Sequence, residues 1–295
     1  MSAAVIAAPR RELLASFVRN RLALSALALL TAIIIAAVLA PVISPQNPYD
    51  LAEFDILDSK LPPGAKSAEG KMFALGTDEQ GRDMLSAILY GLRISLGVGV
   101  VSTVIALTLG MAIGLAAGYA GGWVDAVIMR IVDLQLSFPS ILIALVLLAV
   151  LGQGVDKIVI ALVTVQWAYY ARTVRGSALV EKRKEYVDAA LCLAYSRWRI
   201  VYRHILPNCL PPLIVVATVQ VAHAIALEAT LSFLGLGMPI TSPSLGLLIS
   251  NGYTHLLSGR YWMSFFPGVA LLLTIVAINL VGDHLRDVLN PRLTT

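Results

Sequence analysis

Three polar side chains interrupt a long apolar run in the second half of the chain: Gln220, His223 and Glu228. At 100° per residue they fall within an arc of about 140°, so one helix face would carry an amide, an imidazole and a carboxylate. Ionisable groups are costly in hydrocarbon, and a face of this kind marks a solute or proton pathway. The plainer reading leaves Glu228 wetted near the outer end and the other two bonded to a neighbouring helix. Gln166 and Asn279 are weaker instances of the same pattern. Other chemistry finds little footing. The only Gly-Lys pair, Gly70-Lys71, lacks the upstream glycine and the following Ser or Thr of a phosphate-cradling loop. No HExxH and no nucleophile constellation is present, so no residue is assigned to catalysis or to a metal. Cys192 and Cys209 lie in or beside a segment read below as cytoplasmic, where a disulfide is not expected.

These side chains need elements to hold them. Of 295 residues, 58% are hydrophobic and 14% charged, against roughly 25% charged in soluble domains. The apolar residues fall in long blocks, and a helical span takes about 20 of them. Blocks at 22–43, 94–118, 134–151, 158–174, 210–234 and 262–282 therefore predict an all-α polytopic membrane protein with six transmembrane helices. The first block is too long for a cleaved signal and reads as a retained span. Of the 22 Lys and Arg, fifteen fall in one set of segments: Arg10, Arg11, Arg19, Arg21, Arg130, Arg172, Arg175, Lys182, Arg183, Lys184, Arg197, Arg199, Arg203, Arg286 and Arg292. Seven fall in the other, among acids such as Asp50, Glu53, Asp78 and Asp83. The basic set marks the cytoplasmic side, giving an N-in/C-in arrangement. The net charge of +4 is too small and scattered to imply nucleic acid.

The chain then divides into a cytoplasmic segment 1–21, a first transmembrane helix 22–43, an extracytoplasmic segment 44–93, a five-helix core 94–284 and a cytoplasmic tail 285–295. Residues 84–92 read as a helix lying at the interface before the second span. The Gly, Pro and Ser of 235–261 suggest a pathway mouth, a surface that receives a soluble partner, or a connector. Gly110, Gly114 and Gly118 place small residues on one face of the second span, which favours close helix packing.

Residues 185–208 are charged and amphipathic, set between two spans. Val187, Leu191, Ala194, Trp198 and Val201 recur at steps of three and four, predicting one apolar stripe along a helix. Pro207 is expected to stop that helix before the fifth span. Such a stripe could lie on the anionic inner leaflet or dock in a groove of a cytoplasmic partner; the residues leave both open.

Asp188-Ala189-Ala190, then Ala194, then Leu206-Pro207 resemble the EAA loop of permease subunits in binding-protein-dependent ABC importers. Leu75-Gly76-Thr77-Asp78 with Gly81-Arg82-Asp83 is similar to an extracytoplasmic element of the C-type subunit in the dipeptide, oligopeptide and nickel branch. Gly121-Gly122-Trp123, Phe138-Pro139, 203–208 and 231–237 extend the likeness, which runs from about residue 19 to 291. It implies an ABC importer type I permease fold in a prokaryotic inner membrane, with a coupling loop at about 178–208. Glu185, Asp188, Ala189, Ala190, Ala194, Trp198, Arg203 and Pro207 would then meet the ATPase. The implied partners are a second, B-type permease subunit, two ABC ATPase subunits that bind the ATP and Mg, and an extracytoplasmic substrate-binding protein. Peptides are the implied cargo, with nickel, glutathione, opines or sugars as alternatives. Two departures stand out: Asp188 where Glu is usual, and Ala194 where Gly is usual, which puts a tight turn there in question. A proton-coupled secondary transporter using Glu228 and His223 is the rival from a different class.

Overall fold

The computed structural model describes residues 20–50, 53–67 and 70–289. The segment 1–19, with Arg10, Arg11 and Arg19, and the tail from 290, with Arg292, lie outside the described residues. The elements are helices: α1 (Arg21–Val38), α2 (Ala40–Ile43), α3 (Met84–Ala120), α4 (Gly122–Leu136), α5 (Ser140–Leu151), α6 (Val155–Glu181), α7 (Glu185–Cys192), α8 (Arg197–Phe233), α9 (Leu245–Tyr253) and α10 (Trp262–Leu289). α1, α3, α8 and α10 are each long and apolar enough to cross a membrane. α4 and α5 together make a further candidate, bent by 88°. α6, at 27 residues, is about 40 Å long, with Gln166, Arg172 and Arg175 diluting its apolar face.

Contacts between neighbouring helices give their directions. Gly110, Gly114 and Gly118 of α3 meet Trp167, Ala171 and Arg175–Ala178 of α6 in the same order, so α3 and α6 run parallel. A return path must lie between them, and α4 with α5 supplies it. On α8 the order reverses: Ser95 bonds Glu228 and Gly99 meets Ile225, so α8 opposes α3. α10 opposes α8, with Gly282 against Thr218 and Ile278 packed with Ala222 and Ile225. α1 opposes α10, and Asn20 reaches His284 at 3.4 Å. The alternation is compatible with six crossings and with both termini on one side.

Four expectations need correction. The third span is not one helix from 134. α4 ends at Ser137, and Pro139, which cannot continue an α-helix from the preceding turn, opens α5 after the bend. α4 lies along α6, where Asp125 grips Arg175 through both carboxylate oxygens at 2.9 and 2.6 Å, Asp133 pairs with Arg172, and Gln135 donates to the Thr164 carbonyl. Residues 84–92 are not a separate interfacial helix. They are the first turns of α3, mostly buried against α9 and α10, because Asp83 caps the whole 37-residue helix. The stretch 235–261 contains a buried helix, α9, packed between α8 and α10 through Gly246 and Gly252. Pro207 does not stop a helix. α8 runs from Arg197 through Pro207 because Ile200–Ile205 is π-helical, with Leu206 N–H donating back to the Val201 carbonyl. The wider turn accommodates a residue that has no N–H to return.

Candidate functional site

The amphipathic segment folds as two short helical pieces rather than one. α7 ends in a left-handed residue, Ala194, at φ 54°. Tyr195 N–H donates to the Ala190 carbonyl at 3.1 Å and Ala194 N–H to that of Leu191 at 2.9 Å. That bond pair is a Schellman cap. Ser196 then starts α8, its hydroxyl accepting from Arg199 N–H. The predicted single stripe is therefore split. Val187 is buried on the bundle with Ile200 and Ile205, while Leu191 and Trp198 are 53% and 72% exposed. Ala194 holds the turn without being glycine, at a cost of about 1–2 kcal/mol for placing a Cβ in that backbone region. Ala194→Gly is accordingly expected to stabilise α7 by about 1 kcal/mol. Amide hydrogen exchange across 185–195 should slow in Ala194→Gly and quicken in Ala194→Val; the reverse order would remove the strain argument.

Behind the pair, a polar network that the sequence reading missed ties it to α6 and α8. Tyr186 donates its hydroxyl hydrogen to the Glu181 carboxylate at 2.7 Å and accepts from Asn208 Nδ2 at 3.3 Å. Lys184 holds the other Glu181 oxygen at 2.6 Å, and Asn208 also donates to the His204 carbonyl at 2.7 Å. Burial first, then the bond to Glu181, pushes the Tyr186 phenol above its ordinary range, so it stays a donor. Tyr195 stacks on His204 with ring centroids 5.9 Å apart and has Arg199 over its ring at 4.1 Å. Glu185, Asp188, Ala189, Cys192, Trp198, Arg203 and Pro207 are left facing outward, whereas Ala190 turns inward. The result is a braced element with an acidic first turn and small residues on its free side.

The three intramembrane candidates separate. Gln220 borders a cavity of about 590 Å³ with Tyr169, Thr173, Pro211, Pro212 and Arg286. Its carbonyl accepts from Gln166 Nε2 at 3.0 Å. Gln166 Oε1, Gln220 Nε2 and His223 Nε2 are buried without a partner among the described residues. Glu228 sits elsewhere, 0% exposed. It accepts from Ser95 at 2.8 Å and Ser232 at 2.9 Å, with Ser244, the N-cap of α9, beside them. It is neither wetted nor turned to the cavity, and it joins α3, α8 and α9.

The motif residues 78–83 form a closed knot. Arg82 and Asp78 pair at 2.6 Å with side chains 1% and 4% exposed. Asp78 Oδ1 also accepts from Gln80 and Arg82 N–H. Arg82 Nη1 reaches the Ile240 carbonyl at 3.4 Å, joining the 44–93 and 235–261 segments. Gly81, at φ 80°, sits where a Cβ would fall 2.3 Å from the Asp55 carbonyl oxygen. Asp83 accepts from Ser86 N–H and hydroxyl at 2.7 and 2.6 Å and so caps α3.

Residues 110–295 match the model of the binding-protein-dependent transport system inner membrane component. The chain belongs to that family. Residues 9–63 match a second model, the N-terminal TM domain of oligopeptide transport permease C. The chain is 42% identical over 294 residues to the dipeptide transport system permease protein DppC of Escherichia coli, covering 99% of this chain and 96% of that one. It is 37% identical over 289 residues to the di/tripeptide transport system permease protein DppC of Pseudomonas aeruginosa, covering 98% and 94%. A chain of the methionine ABC transporter MetNI in an inward-facing conformation shares the fold, with a TM-score of 0.57, 18% identity, and coverage of 70% of this chain and 98% of that one. As a member of the family, the chain is a multi-pass inner membrane permease component of an ABC transporter.

Proposed function

We propose that this permease carries di- and oligopeptides inward as one of two homologous subunits around a shared path. An extracytoplasmic binding protein delivers the cargo, and two ATPase subunits, which hold the ATP and Mg, drive the cycle. The observation that carries this reading is the braced α7–α8 element. Its outward Glu185, Asp188 and Ala189 form a compact docking face, and its inward network binds it to α6 and α8. Movement imposed on that face is thereby passed to two helices of the bundle, one of them bearing Gln220 and His223. A ligand-driven change needs such a two-state element, biased by the ATPases. The relatives' names support the peptide class. In this reading Gln220 and His223 face the path, Gln166 braces Gln220 from α6, and Glu228 holds the helices around it.

The test is uptake of labelled dipeptide by cells lacking this chain, complemented with wild type, Asp188→Arg or Ala189→Glu. Wild type should restore uptake, and both variants should leave it at background with normal membrane levels. Uptake by the variants equal to wild type would remove the docking role. No peptide uptake with wild type would move nickel, glutathione or another small solute ahead of peptides. Collapse with an uncoupler while ATP stays high would instead support proton coupling.

A further inference from the structure

At the basic end of the bundle, the last turns of α3 do not close on the α7–α8 element. Between them lies a cavity of about 830 Å³, within the range of small-ligand pockets. Its floor is small and apolar, with Ala112 and Ala116 one helical turn apart on α3. Its rim is cationic and aromatic: Lys182, Arg197, Trp198 and Tyr119. Lys182 Nζ donates to the Tyr119 carbonyl at 2.6 Å and sits 5.3 Å over its ring. That leaves two of its three N–H groups for another acceptor. The Arg197 guanidinium has no carboxylate partner among the described residues, and none of the lining residues is acidic. Trp198 and Tyr202 stack with centroids 5.5 Å apart, amphipathic rings of the kind found where a bilayer meets water. The two cations therefore rim an apolar cleft that has no acidic lining residue, at the C-terminal end of α3.

We infer that this cavity binds one anionic glycerophospholipid, its phosphate between Lys182 and Arg197 and an acyl chain along Ala112 and Ala116. A free anion would leave the apolar floor uncovered, and a zwitterionic lipid would bring its own cation against two others. The occupant would touch α3 and the α7–α8 element together, so binding would hold the element at one spacing from the bundle. This inference stands apart from the identity of the cargo.

The test uses the whole transporter complex in detergent, with phosphatidylglycerol and phosphatidylcholine of matched chains counted by native mass spectrometry. Wild type should retain phosphatidylglycerol in preference. Lys182→Gln and Arg197→Gln should each weaken retention about fivefold. Ala116→Phe, which keeps both charges and fills the floor, should weaken it too, while Arg260→Gln at the opposite end should not. Equal retention of both lipids by wild type, or unchanged retention in the three pocket variants, would overturn the assignment. So would displacement of the lipid by excess inorganic phosphate, which would point to a soluble anion instead.

Discussion

Asp78→Ala is expected to cost about 3–5 kcal/mol of stability, and more than Arg82→Ala, although both remove the same ion pair. The asymmetry follows from what each leaves behind. Without Asp78, a guanidinium with a 1% exposed side chain keeps only the Ile240 carbonyl at 3.4 Å. Arginine cannot shed its charge to escape that burial. Without Arg82, the Asp78 carboxylate still accepts from the backbone N–H groups of Gln80 and residue 82. Replacing both, as Asp78→Ala with Arg82→Met, should recover much of the loss, because no uncompensated charge stays buried. Thermal unfolding of the detergent-solubilised protein should rank the variants in that order. A double variant less stable than Asp78→Ala would mean that the pair itself, rather than the orphaned cation, dominates the energy.

Gly114→Ala and Gly97→Ala are expected to have opposite signs in the same helix. A Cβ at Gly114 would fall 2.4 Å from the Ala171 carbonyl oxygen and 2.9 Å from its Cα, whereas one at Gly97 meets nothing within 4 Å. The obstacle at Gly114 is backbone of α6, which cannot turn aside as a side chain can. The helices must separate, at about 1–3 kcal/mol for one methyl and more for Gly114→Leu. At Gly97 the substitution only improves helix propensity, by up to about 1 kcal/mol. Thermal unfolding temperatures of the two alanine variants, falling for Gly114 and steady or rising for Gly97, would confirm the seam. Equal shifts would show that α3 and α6 do not rely on it.

Much of the architecture is visible in the sequence because apolar length is a direct demand of the bilayer. The blocks near 22–43, 94–118, 210–234 and 262–282 each fall within or largely on a long helix, and the glycine ladder of α3 meets a partner as expected. The shortfalls have physical causes. Periodicity continued through Ala194, since an alanine in a helical pattern carries no mark of a left-handed turn. The family-level preference for glycine there was the only signal, and the chain departs from it. Pro207 looked like a terminus because a proline reads as a helix stop unless the turn before it is widened. The surroundings of Glu228 are decided by Ser95 and Ser244, distant in sequence, and not by its depth along the span. The Asp78–Arg82 pair reads as a motif in the sequence, but its contact with the Ile240 carbonyl, 158 residues away, has no sequence signal. Tyr186, Glu181 and Asn208 carried no pattern at all, as their spacing has meaning only once α6, α7 and α8 meet.

The π turn at Ile200–Ile205 lies between the α7 face and the rest of α8. A π bulge amounts to one surplus residue within an α-helix, and each residue is worth about 100° of rotation. Deleting a single residue from that stretch would restore an ordinary helix and leave everything before it at nearly the same angle about the α8 axis, because the widened turn already absorbs the surplus residue. The π turn thus holds the phase of the α7 face relative to the bundle, and the same deletion made in the purely α-helical part of α8 would re-aim that face by about 100° while leaving every side chain on it intact.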